Sequence, residues 1–474
     1  MLLPEPLRSW DESFDVVVIG AGFAGLRAAI EAAESGVAVL VLEKMPAPGG
    51  NSIISDGSVA AAGSALQAKH GIDDSPELMF RDMLAAGQGL NHPELAQTVA
   101  EGSASAVQWT VDRLGVVYQD KVLQFGGHSV PRTLATPRLS GAAIFRPLLA
   151  RALELGVELR NRTFLEALAT DPSGSVRGVV VREGYRHPEP ASGTPRTIRS
   201  RGAVVLASGG FGNDVGFRSA QDPRLSAAVD STNAKGATAE ALQAAMAVGA
   251  QSVHLSHIQL GPWASPDESG NGTGPVFATY VAFPYGILVD PATGERFVNE
   301  MADRKTRADA ILRVGHPCIG IADSVGLARS GQRIDACIRR GVVRPFDSVE
   351  ELALAYETRP SALGGTLDRF NRSIAVGRDA DLGKPILDEA EPICHPPYYA
   401  MRHWPKVHYT MGGVRIDTDA RVIGAEARPI GGLFAAGEVT GGVHGACRLG
   451  SVSITECLVF GRIAGLGAAR SVCG

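Results

Sequence analysis

One run of residues near the start of the chain has immediate chemical meaning: Gly20-Ala21-Gly22-Phe23-Ala24-Gly25, followed by Glu43 and Lys44. Glycines spaced as GxGxxG let the backbone turn sharply, approach a pyrophosphate and pack a helix onto a strand, and an acid past the next strand takes ribose hydroxyls. A dinucleotide is the ligand this spacing predicts. The loop alone leaves FAD and NAD open, but its place near the N-terminus favours a resident cofactor. Small residues recur at Gly49, Gly50, Asn51 and Ser52, at Gly57 and Ser58, at Ala207, Ser208 and Gly209, and at Gly437 beside Glu438. Backbone lying against a long, extended cofactor needs such stretches, so pieces distant in sequence are expected to converge on one ligand.

The elements that would position these residues are legible around them. Asp15-Val16-Val17-Val18-Ile19 reads as a buried strand running into the glycines, residues 26–35 as a helix closed by Gly36, and residues 37–42 as a second buried strand ending at Glu43. That order, strand, turn, helix, strand, gives GxGxxG its meaning. Residues 203–206 and 432–436 are further apolar strands that end in glycine. Residues 348–356 and 363–376 read as amphipathic helices, and the Pro- and Gly-rich stretch 184–199 as a hairpin or surface loop.

Composition bounds the rest. The chain has 474 residues, room for two or three domains, with 45 Lys+Arg against 50 Asp+Glu and a net charge of -5. No cationic field or basic run is present to hold a nucleic acid. No uninterrupted apolar stretch of about 20 residues suggests a membrane span. Met1–Pro6 lacks a basic segment followed by an apolar one, so residence in the cytoplasm is expected. The six cysteines, Cys318, Cys337, Cys394, Cys447, Cys457 and Cys473, show no CxxC pair and no His at metal-ligand spacing. They read mostly as buried thiols, with no metal site and no attached haem.

The GAGFAG loop, the GGNS stretch, Ala207-Ser208-Gly209-Gly210-Phe211, His408-Tyr409-Thr410-Met411-Gly412-Gly413 and the run from Ala436 to Gly450 together resemble the soluble fumarate reductase and succinate dehydrogenase flavoprotein family. That family also includes ketosteroid and oxocyclohexanecarboxylate dehydrogenases, urocanate reductase and aspartate oxidase. The resemblance implies an α/β fold: a Rossmann-like FAD-binding domain, residues 1–240 and 406–474, with an inserted α+β capping domain, 241–405. It implies FAD, held without a covalent bond because residues 51–55 contain no His. Glu438 would meet ribityl or ribose hydroxyls. The backbone of Ser451, Val452, Ser453 and Ile454 would meet the flavin pyrimidine edge, with a helix over 453–468 aiming its positive end there.

On the substrate side the resemblance assigns Arg448 to a carboxylate, bound in the bidentate geometry of a guanidinium, and His408 to a place beside it. Two family contacts are absent: Gly261 stands where fumarate reductases carry a substrate His, and Gly326 where they carry the catalytic Arg. Glu300 and Arg304 keep the NExxxR pattern, either near the pocket or paired with each other, and Arg329 lies near the lost position. A ketone needs a weaker base than a carboxylate, and Tyr280, Tyr285 and Tyr409 offer phenols, as Tyr serves in ketosteroid dehydrogenases. The resulting expectation is desaturation of a carbon–carbon bond next to a carbonyl. A small cyclic oxo acid such as 4-oxocyclohexanecarboxylate would be the carbonyl or carboxylate substrate, with oxygen, a quinone or an electron carrier as external acceptor. The alternatives are reduction of an activated alkene, as by fumarate or urocanate reductases, with Arg304 or Arg329 as acid, and flavin binding without turnover.

Overall fold

The computed structural model describes residues 9–473, leaving Met1–Pro6 and the Cys473 side chain outside what is described. The chain divides into two compact units, one of residues 1–226, 233–258 and 409–474, the other of 227–232 and 259–408. The boundaries expected at 240 and 406 thus sit near the junctions at 258 and 408, and the helix Glu240–Ala247 stays with the first unit.

The first unit is built on an eight-stranded sheet. Its parallel centre sets Glu12–Ile19 between Val39–Leu42 and Thr194–Leu206, with Glu158–Arg160 and Pro429–Ala435 outside them. Val16, Val17 and Val18 are fully buried, as expected of a β-branched run covered on both faces. Residues 184–193 join the antiparallel strands Val176–Glu183 and Thr194–Leu206, so the expected hairpin is present. The parallel register aligns Ile19 with both Leu42 and Leu206, and Leu206 with Ala435. Three strands therefore deliver their glycine-rich ends, at Gly20, Gly209 and Gly437, to one edge of the sheet, where ligands bind in such folds.

The helix Phe23–Glu34 packs on the long C-terminal helix Val452–Cys473. Their approach is close enough that a Cβ on Gly465 would lie 2.3 Å from the Ala28 carbonyl oxygen. By length and composition Val452–Val472 is apolar enough to cross a bilayer, although Glu456, Arg462 and Arg470 interrupt its apolar run. It is a core helix here: 67% of its apolar window is buried, and it carries Glu456 inward.

The second unit holds a five-stranded antiparallel sheet in the order Glu295–Arg296, Ile287–Asp290, Cys318–Ala322, Tyr398–His403, Val343–Phe346. Helices Arg304–Val314, Val349–Ala355 and Pro360–Ala375 accompany it, the last two where periodicity predicts them. Arg296, Glu300, Asp379 and Lys384 form a buried charge cluster in this unit. Of the cysteines, Cys318, Cys337 and Cys447 are buried, but Cys394 is exposed because it lies in the irregular segment before Tyr398.

Candidate active site

The glycine loop meets its stereochemical requirement. Gly20 takes φ +105°, and a Cβ there would lie 2.4 Å from the Ala207 carbonyl oxygen; one on Gly25 would lie 1.9 Å from the Gly20 oxygen. At Gly50 and Gly209, both at positive φ, a Cβ would meet nothing within 4 Å. The strand ends are thus packed tightly on the inside and leave a side-chain-free edge outside, which fits an extended dinucleotide.

The carboxylate of Glu43 accepts from the Ala21 N–H at 3.2 Å and the Met45 N–H at 2.9 Å, and burial pushes its pKa up. Ser52 Oγ accepts from the Phe23 N–H at 2.9 Å, at the first turn of the glycine-loop helix. Asn51 is tied to Asn233 at 2.6 Å and accepts from the Ala234 N–H at 2.8 Å, and Lys44 pairs with Glu240 at 2.9 Å. Ser52 and Asn51 therefore brace the cradle's backbone, while Lys44 engages a side chain. Ser58 is buried and its N–H donates to Asp56, while Gly57 at φ +70° packs on the Ser140 backbone. Glu438 accepts from the Thr410 N–H at 3.0 Å, and burial pushes its pKa up to about 7. Glu438 also fills the space above Gly210, where a Cβ would lie 2.4 Å from Oε1.

A second cluster of the first unit surrounds Glu456, the one acid of the C-terminal helix. Glu456 accepts from the Tyr409 hydroxyl at 2.9 Å and from Thr440 Oγ1 at 3.2 Å, and pairs with His444 Nε2 at 2.8 Å. The Arg448 guanidinium carbon lies 4.4 Å from the centroid of the Tyr409 ring. Burial and Glu456 push the Tyr409 phenol well above its ordinary pKa. Tyr409 is thus a platform for Arg448, with its hydroxyl engaged by Glu456. Glu456 escapes sequence reasoning; its signal is a lone acid in an apolar helix.

The second unit holds a cluster of its own: His408, Trp263, Arg304, Gln259 and Thr232. His408 Nδ1 lies 2.8 Å from Thr232 Oγ1, and its ring meets Trp263 edge-on with centroids 4.7 Å apart. The Arg304 guanidinium carbon lies 4.4 Å over the Trp263 ring, and Nη1 donates to Gln259 at 3.4 Å. Glu300 is bound by Arg296 at 2.7 Å, so of the two alternatives left open for Glu300 and Arg304, pairing with each other does not occur. Arg329 pairs with Glu391 in an exposed position, which removes it as a candidate acid.

Both family-discrepant glycines lie under aromatic residues. A Cβ on Gly261 would lie 3.1 Å from the Trp263 indole, and one on Gly326 3.1 Å from Tyr285 Cβ. The Tyr285 hydroxyl donates to Glu389 at 3.1 Å, and burial and that carboxylate push its pKa up. Tyr280 is buried in a π-helical turn, Ala278–Ala282.

Residues 15–454 match a protein family described as an FAD binding domain. The acrylate reductase flavoprotein subunit of Shewanella woodyi is 42% identical over 96% of this chain and 91% of its own length. The chain belongs to the fumarate reductase-like flavoproteins of that FAD-binding family. The structure of a flavocytochrome c3 fumarate reductase in its open conformation matches with a TM-score of 0.77 and 32% identity, covering 98% of this chain and 80% of that one. That of 3-ketosteroid-Δ4-(5α)-dehydrogenase from Rhodococcus jostii RHA1 matches at 0.76 and 27%, covering 98% of each. The chain is therefore an FAD-dependent oxidoreductase of α/β fold, and the edge formed at Gly20, Gly209 and Gly437 fits its cofactor.

Proposed function

We propose that this protein reduces the carbon–carbon double bond of a small α,β-unsaturated monocarboxylate. The observation that carries the direction is the state of the phenols: Tyr285 and Tyr409 each donate to a carboxylate, and so neither is free to accept a proton from a ketone. An arginine, Arg304, instead sits over the face of Trp263, whose ring also meets His408. The 42% identity to an acrylate reductase subunit supports the same direction.

In this reading Arg448, stacked on Tyr409, binds the substrate carboxylate. When bound, reduced FAD supplies the hydride that the β-carbon needs. Arg304 delivers the proton to the α-carbon, and Trp263 and Gln259 fix its guanidinium. Trp263 also limits the substrate to one carboxylate, because its indole covers Gly261 with an apolar wall where a second anion would need a donor. Electrons come from an external carrier, and the cytoplasm remains the expected location.

The test is a steady-state panel with a reduced viologen as donor under anaerobic conditions. Acrylate and crotonate should be turned over with kcat/KM at least tenfold above fumarate. A second reading, ketone desaturation through Tyr280, draws on the ketosteroid dehydrogenase likeness; bleaching of the oxidised enzyme by 4-oxocyclohexanecarboxylate, with no acrylate turnover, would replace the first by the second.

A further inference from the structure

The chain enters its C-terminal helix through an unusual residue: Ser451 has φ +61° without being glycine. A non-glycine residue persists there only when its surroundings hold it. The preceding carbonyl, of Gly450, accepts from His128 Nε2 at 2.9 Å and from Ser451 Oγ at 2.6 Å. The Ser451 hydroxyl also lies 2.7 Å from Thr133 Oγ1, and the Ser451 carbonyl accepts from the Ala60 N–H at 3.1 Å.

Behind His128 stands a buried charge relay. Arg132 Nη1 lies 3.3 Å from His128 Nδ1, while the guanidinium donates to Asp74 at 2.9 and 3.0 Å and to Asp82 at 2.6 Å. Arg132 and the Asp74 side chain are fully buried. A guanidinium only donates, so Nδ1 must accept; that places the imidazole proton on Nε2, pointing at the Gly450 carbonyl. In a trans peptide the Ser451 N–H points opposite to that carbonyl. Among the described residues it has no acceptor, although Ser451 is only 5% exposed. A buried N–H left open at the start of a helix is a donor that a bound ligand can satisfy.

We propose that His128, fixed by the Asp74–Arg132–Asp82 relay, is a positioning residue for the flavin. It locks the plane of the Gly450–Ser451 peptide and so aims the Ser451 N–H and the first helical turn at the edge of the cofactor that becomes electron-rich on reduction. A donor held there binds reduced flavin more tightly than oxidised flavin, which raises the reduction potential. The inference concerns the cofactor and is independent of the substrate.

His128→Leu keeps volume and removes the donor, His128→Gln keeps an N–H within reach of the carbonyl, and Thr133→Val releases the Ser451 hydroxyl from its partner. FAD affinity of the apo-protein and the two-electron midpoint potential of the reconstituted protein are the readouts. His128→Leu should lose about tenfold of the preference for reduced flavin, a potential about 30 mV lower. Thr133→Val should shift the same way by a smaller amount, and His128→Gln should stay within threefold of the parent. An unchanged potential in His128→Leu, with or without a lower melting temperature, overturns the proposal, as does His128→Gln behaving like His128→Leu. If His128→Leu does not fold, an unchanged potential in Thr133→Val overturns it.

Discussion

Removing Arg448 tests the anion clamp. Arg448 is 3% exposed, and its guanidinium lies on a Tyr409 ring whose hydroxyl is pinned by Glu456, with His444 and Thr440 holding that carboxylate from other sides. A cation so placed has little orientational freedom to lose when it binds an anion, and truncating one partner of a buried, hydrogen-bonded charge pair costs roughly 2–5 kcal/mol. Taking about 3–4 kcal/mol, at roughly 1.36 kcal/mol per decade, Arg448→Ala should lower kcat/KM for acrylate by about 10²–10³-fold. Arg448→Lys keeps the charge but loses the planar stack and the fork, and should fall between, at about 10–30-fold. The assay pairs anaerobic turnover of acrylate with reoxidation of the reduced enzyme by dioxygen, which needs no carboxylate clamp and should stay within about threefold. Acrylate turnover in Arg448→Ala within about threefold of the parent would refute the assignment, because it would leave no role for the buried stack.

Trp263→Ala should raise the fumarate-to-acrylate ratio of kcat/KM by about tenfold, since the wall over Gly261 is replaced by space and water. An unchanged ratio, measured with both substrates under one donor, would remove Trp263 from specificity. Glu438 holds its proton up to about pH 7 in the folded chain, against roughly 4.3 when unfolded. The stability it contributes is therefore fully present below the unfolded value and lost as pH rises through about 7. Thermal melting of apo-protein should accordingly show a shallower fall from about pH 5 to pH 8 in Glu438→Gln than in the parent; parallel curves would contradict the raised pKa.

The cofactor half of the molecule is legible in sequence because its logic is local. GxGxxG acts through neighbouring backbone, and the β-branched run Val16–Ile19 announces a buried strand whose register then fixes Leu206 and Ala435. The catalytic half is less legible, since its side chains are defined by partners far away in sequence. Tyr285 and Tyr409 look like available phenols until Glu389 and Glu456 are placed on their hydroxyls. Gly261 and Gly326 look like lost functions until Trp263 and Tyr285 are found filling the space beside them. Asn51 and Lys44, read as ligand contacts, also engage Asn233 and Glu240, partners that lie 182 and 196 residues away in sequence. The C-terminal helix carries a charge on each of two faces, which hides its apolar length from a search for an uninterrupted run: Glu456 turns inward and Arg462 is exposed.

The central claim, that this flavoprotein reduces an alkene activated by a single carboxylate, is tested most directly by one anaerobic turnover. Photoreduced enzyme is mixed with stoichiometric acrylate, the flavin absorbance followed and the organic product identified. The account predicts full reoxidation with one equivalent of propionate formed, and negligible reoxidation by fumarate on the same timescale. Flavin that stays reduced with acrylate, while the oxidised enzyme is bleached by a cyclic oxo acid, would contradict it.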